Sequence, residues 1–280
     1  MSSIRENYFS AIKQFNKPNE EIDIRSLLMH INGIRNMSGF FLKLDDELKD
    51  EKKFKELLKL YSTGVPMAYL LNEASFCGDT FYVNKSVLIP RFETEEVVIF
   101  ASKLIQKYFK GKDIVLADVC TGSGCLGIEV AKYVNTSKLI LSDISAEAIE
   151  IAKKNSKALL PNTNVDCYVG DCLEPLTTVL PTIDVLVANP PYIIDKNTVD
   201  KSVLDNEPHL ALFTDDSLHV YRRILETLSK TKNNIKVIVF ELGEEIYKKL
   251  MELLFEFVPG ANVVVRKDMN GQTRMVGIIL

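Results

Sequence analysis

The sequence is poor in the residues that build metal centres and disulfide frameworks. It has only three histidines, and its five cysteines (Cys77, Cys120, Cys125, Cys167 and Cys172) are an odd number without tight pairs. Neither Cys120/Cys125 nor Cys167/Cys172 has the two-residue gap of a zinc knuckle. No metal site is therefore expected, and free thiols in a reducing compartment are. Long apolar runs are missing as well. No stretch is long enough to span a bilayer, and the first residues carry no apolar signal core. Glu6, Glu20 and Glu21 come too early for a transit peptide. Positive charge is not in excess either. A formal net charge of −4 excludes a general electrostatic pull on nucleic acid or an acidic membrane, while leaving room for a local basic patch. The expectation is a cytoplasmic monomer with no membrane partner and no nucleic-acid partner.

What is present is globular. Over 280 residues, 46% are apolar and 26% charged, which suits one large domain or an ordinary one with a smaller companion. Up to about residue 75 the apolar residues recur at helical spacing. Ile4, Tyr8, Ile12 and Phe15 mark a helix over residues 3–16. Ile22, Leu27, Leu28, Ile31 and Ile34 mark a second over 20–35, with Lys17-Pro18-Asn19 as the break between them. Phe54, Leu57, Leu58 and Leu60 mark a third over 45–61, which Ser62-Thr63-Gly64 ends. Residues 75–89 predict a hairpin with turns at Gly78-Asp79 and Asn84-Lys85 and a further strand at Val87-Leu88-Ile89. Pro90-Arg91-Phe92-Glu93-Thr94-Glu95 then opens a helix with Thr94 or Glu93 as its cap. Arg91 reads either as a functional residue or as half of a surface ion pair.

From about residue 110, strands alternate with helices, which predicts a parallel sheet with right-handed crossovers. Only a short turn between Asp268 and Gly271 separates the last two strands, so one of them must run antiparallel. The first strand runs into Asp118-Val119-Cys120-Thr121-Gly122-Ser123-Gly124-Cys125-Leu126-Gly127. Gly122, Gly124 and Gly127 have nucleotide-binding spacing between a strand and a helix, where the backbone can approach a ligand closely. Asp143 ends the next strand about twenty residues on, placed to accept ribose hydroxyls. Asp171-Cys172 ends the third strand, where an adenine would lie. A dinucleotide and S-adenosylmethionine both fit this fingerprint.

The next strand, over residues 183–188, decides between them. It runs into Asn189-Pro190-Pro191-Tyr192. Proline has no N–H for a central ladder, so the strand must stop there. The stiff turn that results lies at the C-terminal edge of the sheet, where open α/β folds bind ligands. The Asn189 side-chain carbonyl and the adjacent backbone carbonyl are two acceptors that can grip an NH2 group, with Tyr192 offering a flat face beside it. Hydride transfer to a carbonyl would need a proton donor at this place, and the turn has none. Methyl transfer to a planar NH2 needs such acceptors.

These residues resemble the PrmC/HemK family, the N5-glutamine methyltransferases of peptide-chain release factors. The resemblance runs along almost the whole chain. It includes Leu88-Ile89-Pro90-Arg91-Phe92-Glu93-Thr94-Glu95, Glu207-Pro208, Ala211-Leu212, Glu241-Leu242-Gly243, Asp268, Gly271 and Arg274. The Asn-Pro-Pro-Tyr turn alone is shared with adenine-N6 DNA methyltransferases; the junction motif and the helical segment narrow the match. Cys120 stands where many members have Gly, and Cys172 where some have an aromatic residue. The resemblance implies an α/β fold: a Rossmann-like class I methyltransferase domain at residues 92–280 with a seven-stranded, mostly parallel sheet. A small helical substrate-docking domain at 1–74 and a β-hairpin linker at 75–91 precede it. The implied cofactor is S-adenosylmethionine, and the implied partners are class 1 peptide-chain release factors, methylated on the glutamine N5 of their Gly-Gly-Gln loop. Cys120, Thr121, Gly122, Ser123 and Gly124 would wrap the methionine end, Asp143 the ribose, and Asp171 and Cys172 the adenine. Asn189, Pro190 and Tyr192 would be catalytic, with Asn189 also touching the cofactor and Pro191 and Arg91 completing the acceptor site. The alternative acceptors are another protein glutamine or adenine N6 in nucleic acid.

Overall fold

The computed structural model describes residues 2–15 and 18–280, and contacts divide the chain into two compact units, Met1–Glu73 and Ala74–Leu280. The first unit is helical: α1 (Ile4–Gln14), α2 (Pro18–Asn32), α3 (Met37–Leu42), α4 (Glu51–Ser62) and α5 (Met67–Leu71). Its core gathers Ile4, Tyr8, Ile24, Leu27, Leu28, Phe40, Leu48 and Phe54. Ser3 caps α1 reciprocally. Its hydroxyl accepts from Glu6 N at 3.1 Å, while the Glu6 carboxylate accepts from Ser3 N at 2.9 Å. The helix expected over 45–61 starts only at Glu51, because the Asp50 carboxylate takes the N–H of Lys53 and so fixes the cap. Helix α3 was not foreseen; a six-residue helix is too short to display a period, and the Asn36 cap was its one local sign. In the expected break, Lys17 lies outside the described residues; α2 already begins at Pro18.

The second unit opens with the hairpin β1 (Glu73–Phe76) and β2 (Asp79–Tyr82). The expected strand at Val87-Leu88-Ile89 does not form. The N–H of Ile89 is taken by the carboxylate of Glu207 at 3.1 Å, and Pro90 has none to give. Next comes α6 (Phe92–Phe109). Neither Thr94 nor Glu93 caps it. Arg91 holds the N-cap position with no side-chain cap bond, and the Thr94 hydroxyl turns inward to donate to Glu241 at 2.8 Å.

The remaining chain is β3 (Ile114–Val119), α7 (Cys125–Tyr133), β4 (Thr136–Asp143), α8 (Ala146–Leu159), β5 (Val165–Val169), β6 (Val185–Ala188), α9 (Lys201–Asn206), α10 (His209–Leu212), α11 (His219–Lys230), β7 (Val237–Glu241), α12 (Tyr247–Phe257), β8 (Asn262–Lys267) and β9 (Thr273–Ile279). The seven strands form one sheet in the order β5-β4-β3-β6-β7-β9-β8. All neighbours are parallel except β9, which runs antiparallel to both β7 and β8. Alternate residues of a strand face opposite sides, and the core splits accordingly. Val185, Val187, Val237 and Val239 pack under α6 and α7, while Leu186, Ala188, Ile238 and Phe240 pack under α11 and α12. Among the described residues, no helix is long and apolar enough to cross a membrane.

Strand β3 is flanked by β4 on one side and β6 on the other. The chain thus moves outward from β3 in one direction and later returns to its other side, which opens a crevice at the C-terminal ends of these strands. Val119 and Ala188 are register partners, so the next residues, Cys120 and Asn189, leave the sheet side by side.

Candidate active site

The loop after β3 is tied down by two carboxylates. Asp118, buried, accepts from the Thr121 hydroxyl at 2.6 Å and from Gly127 N at 2.9 Å. Burial pushes its carboxyl up to about 7, against the pull of those donors. A Cβ on Gly127 would lie 2.6 Å from the Asp118 Cβ, so this glycine serves the close approach of α7 to β3. Gly127→Ala should lower the unfolding free energy by about 1–3 kcal/mol through overpacking, to be read from denaturant midpoints. Asp143, at the end of β4, receives Gly122 N at 2.8 Å and Ser145 N at 2.9 Å. Burial raises its pKa, and the N–H groups of Ser145 and Gly122 oppose the rise. Gly124 takes a left-handed backbone, φ 84°, to turn the chain into α7. Cys120 adopts φ 60°, a conformation that suits the glycine found there in many members of the resembled family. A further anchor was not foreseen: Asn155 of α8 donates to the carbonyls of Ser123 (2.8 Å) and Tyr82 (3.0 Å), joining the loop to the hairpin.

A cavity of about 600 Å³ lies over this edge of the sheet. Cys120, Thr121, Gly122, Ser123, Asp143, Asp171, Cys172, Asn189, Pro191 and Arg91 line it. Gly124 is not in its wall; that residue shapes the turn instead. The carboxylate of Asp171 is held by Arg223 of α11 and receives the Cys172 thiol at 3.0 Å. Burial, and then that bond, push the thiol up to about 12, so it stays protonated. Among the described residues no cluster of ligating side chains could hold a metal ion.

A second cavity, about 420 Å³, adjoins the first and is lined by Asn189, Pro190, Pro191, Tyr192, Arg91 and Glu241, among others. Asn189 and Arg91 belong to both walls. The Arg91 guanidinium pairs with Glu207, whose side chain is 1% exposed, so the surface ion pair envisaged from the sequence is half buried. Removing one partner of such a pair strands a buried charge. Arg91→Ala should therefore lower the unfolding free energy by about 3 kcal/mol, as read from chemical denaturation. Beyond the turn, Ile193 N donates to Leu212 O (3.2 Å) and Thr214 N to Ile193 O (3.0 Å), which pins residues 212–214 beside it.

Three residues at or behind this second wall, Glu241, Asp268 and Arg274, were quoted in the sequence without a role; of these, Glu241 lines the cavity. Arg274, of β9, donates to the Tyr192 hydroxyl and to Leu242 O, each at 3.1 Å, and its Nε reaches Asp268 at 3.1 Å. Burial and the nearby Glu241 push the Tyr192 phenol up to about 12. Glu241 ends β7 with its carboxyl buried; it receives the Thr94 hydroxyl, and its backbone carbonyl receives the Tyr221 hydroxyl at 2.8 Å. The signal available for it was position, an acid at the C-terminal end of a central strand.

The profile of the methyltransferase small domain family matches residues 94–211. The release factor glutamine methyltransferase of Bacillus cereus is 35% identical over 255 residues, covering 89% of each chain. That of Bacillus subtilis strain 168 is 34% identical, covering 92% of this chain and 90% of its own. That of Streptococcus pneumoniae is 34% identical over 91% of each chain. Among solved structures, the hMettl16 catalytic domain covers 98% of this chain and 91% of its own with a TM-score of 0.60 at 13% identity. The human methyltransferase 10 domain containing protein covers 71% of this chain and 88% of its own, with a TM-score of 0.50 at 16% identity. These two speak to the fold, an α/β class I methyltransferase. The sequence relatives settle the family: the chain belongs to the release factor glutamine methyltransferases.

Proposed function

We infer that this protein methylates the side-chain amide nitrogen N5 of the glutamine in the Gly-Gly-Gln loop of class 1 peptide-chain release factors. The identity of more than a third to a release factor glutamine methyltransferase along 89% of both chains carries this reading. Three features of the first cavity fit S-adenosylmethionine. Its volume of about 600 Å³ suits a ligand of that size. Asp143 stands at its wall with lone pairs left after two backbone bonds. The hydroxyls of Ser123 and Ser142 are buried at that wall without a partner. Cys120, Thr121, Gly122 and Ser123 would hold the amino-acid end, Asp143 the ribose, and Asp171 with Cys172 the base. Gly124 acts through the shape of the loop. Bound there, the cofactor supplies an electrophilic methyl group on a sulfonium.

The protein's own contribution is position and charge. An amide nitrogen is a poor nucleophile, because its lone pair is delocalised into the carbonyl. In our reading the Asn189 side-chain oxygen and the Pro190 carbonyl accept its two hydrogens, aim the nitrogen toward the first cavity and favour the positive charge that grows on it. Tyr192 packs on the amide plane, held by Arg274, and the released proton leaves after transfer, when the nitrogen is far more acidic. Arg91 shapes the passage between the cavities through its pair with Glu207. The helical unit would serve to dock the release factor. A cytoplasmic monomer that does not depend on nucleic acid is part of the same proposal, consistent with a net charge of −4.

The test is transfer of radiolabel from S-adenosylmethionine to a purified release factor, beside the same factor with its loop Gln changed to Ala. Label confined to the Gln form is the expected result. Equal label on both would move the target elsewhere.

A further inference from the structure

An asparagine amide is nearly symmetric in shape but opposite in chemistry at its two ends. Flipped by 180°, Asn189 would present NH2 rather than oxygen to an incoming NH2, and two donors would meet. The mechanism above therefore depends on something that fixes the flip, and neither proline of the turn has an N–H to hold the amide oxygen.

We propose that the buried carboxylate of Glu241 is a positioning residue that locks the Asn189 amide with its NH2 inward and its oxygen toward the acceptor cavity. The placement follows from the sheet. Ala188 and Phe240 are register partners on adjacent parallel strands, so Asn189 and Glu241 are the next residues out on each, and both line the same cavity. The neighbouring Asn189 side chain is among the groups that favour the charged form of the Glu241 carboxyl, which agrees with that placement. An ionised carboxylate can only accept, so the end of the amide turned to it must be the NH2. The Thr94 hydroxyl, at 2.8 Å, occupies the Oε2 oxygen of the carboxylate. The inference rests on the proposed methyl transfer for its purpose, but the lock itself is a property of the protein alone.

The lock has a titration. Burial pushes the Glu241 carboxyl up to about 7, opposed by Thr94, Arg274 and Asn189, while Glu93 pushes it further up. The Arg91 guanidinium lines the same cavity, and Tyr192, Tyr221 and the Cys125 thiol are titratable neighbours. Burial raises the pKa of each of these three groups, so they stay protonated through neutral pH. Above about 7 Glu241 is acceptor-only and the flip is fixed. As pH falls through that value the carboxyl gains a proton, becomes a donor as well, and can satisfy either orientation.

Two readouts test this. In protein labelled with ¹⁵N at asparagine side chains, the Asn189 amide peaks (identified by their loss in Asn189→Asp) should shift with a midpoint near pH 7. The shift should vanish in Glu241→Gln. In methyl transfer, wild-type turnover should fall as pH drops through the midpoint and level off about ten-fold below its alkaline value. Glu241→Gln should be about ten-fold slower, with that acid limb gone and cofactor affinity kept. Thr94→Val removes a donor to the charged form, so it should move the midpoint to higher pH while keeping the plateau. It also decides the matter if Glu241→Gln fails to fold. Asn189 peaks indifferent to pH and to Glu241→Gln, or an unmoved midpoint in Thr94→Val, would overturn the proposal. If the amide titrates as expected but no release factor is methylated, the lock stands and the functional reading falls.

Discussion

Replacing Asn189 with Ala should leave S-adenosylmethionine affinity within a few-fold of wild type and lower turnover by about 10²–10³. The asymmetry follows from where the side chain stands. Asn189 touches the wall of both cavities, but in the first it is one residue among many, whereas in the second its oxygen is one of only two acceptors assigned to the reacting nitrogen. Truncation to Ala leaves the turn's prolines, and hence the Pro190 carbonyl, in place. Calorimetric titration of the cofactor beside single-turnover methyl transfer separates the two quantities. Near-normal turnover would sink the assignment of the acceptor grip.

Asp143→Ala should give the opposite pattern. If Asp143 holds the ribose as proposed, two charge-assisted hydrogen bonds to its hydroxyls would together be worth about 3 kcal/mol, so cofactor affinity should fall by about two orders of magnitude. Turnover at saturating cofactor should change little. Part of the loss comes from the protein itself, since the same carboxylate holds Gly122 N and Ser145 N and so shapes the loop before any ligand arrives. Asp143→Asn should lose part of both, since its amide keeps one acceptor oxygen and cannot hold both N–H groups and both hydroxyls. A cofactor affinity unchanged in Asp143→Ala would remove this residue from the site.

The parts of the protein legible in the sequence are those written locally. A glycine turn after an apolar strand, an acid at the end of the next strand, and Asn-Pro-Pro-Tyr after another each carry their meaning within ten residues. The sheet's alternation of strand and helix is equally local. What escaped is long-range. Thr94 reaches Glu241 across 147 positions, and Arg91 reaches Glu207 across 116. Arg274 reaches Tyr192 across 82. Nothing in the spacing of one residue announces its partner in the other; strand order makes the pair. The same reason explains the misread cap of α6. Thr94 has the chemistry of a cap, but a buried carboxylate from a distant strand offers its hydroxyl a better acceptor. Val87-Leu88-Ile89 has the composition of a strand, yet the acid that takes its N–H comes from beyond the fourth parallel strand.

The placement of β9 bears on how the chain comes to be made. Among the described residues this strand is the last in chain order but the last but one in the sheet, and β8 has no other partner. During synthesis from the N-terminus, β3 to β7 can assemble in parallel as each crossover emerges, whereas β8 must wait, already translated, for residues 273–279 to arrive and pass between it and β7. Until then β7 is an open edge of five buried residues, Val-Ile-Val-Phe-Glu, the kind of edge that recruits a strand from another molecule. Release of a nascent chain short of residue 273 would therefore yield a sticky product rather than a shortened enzyme.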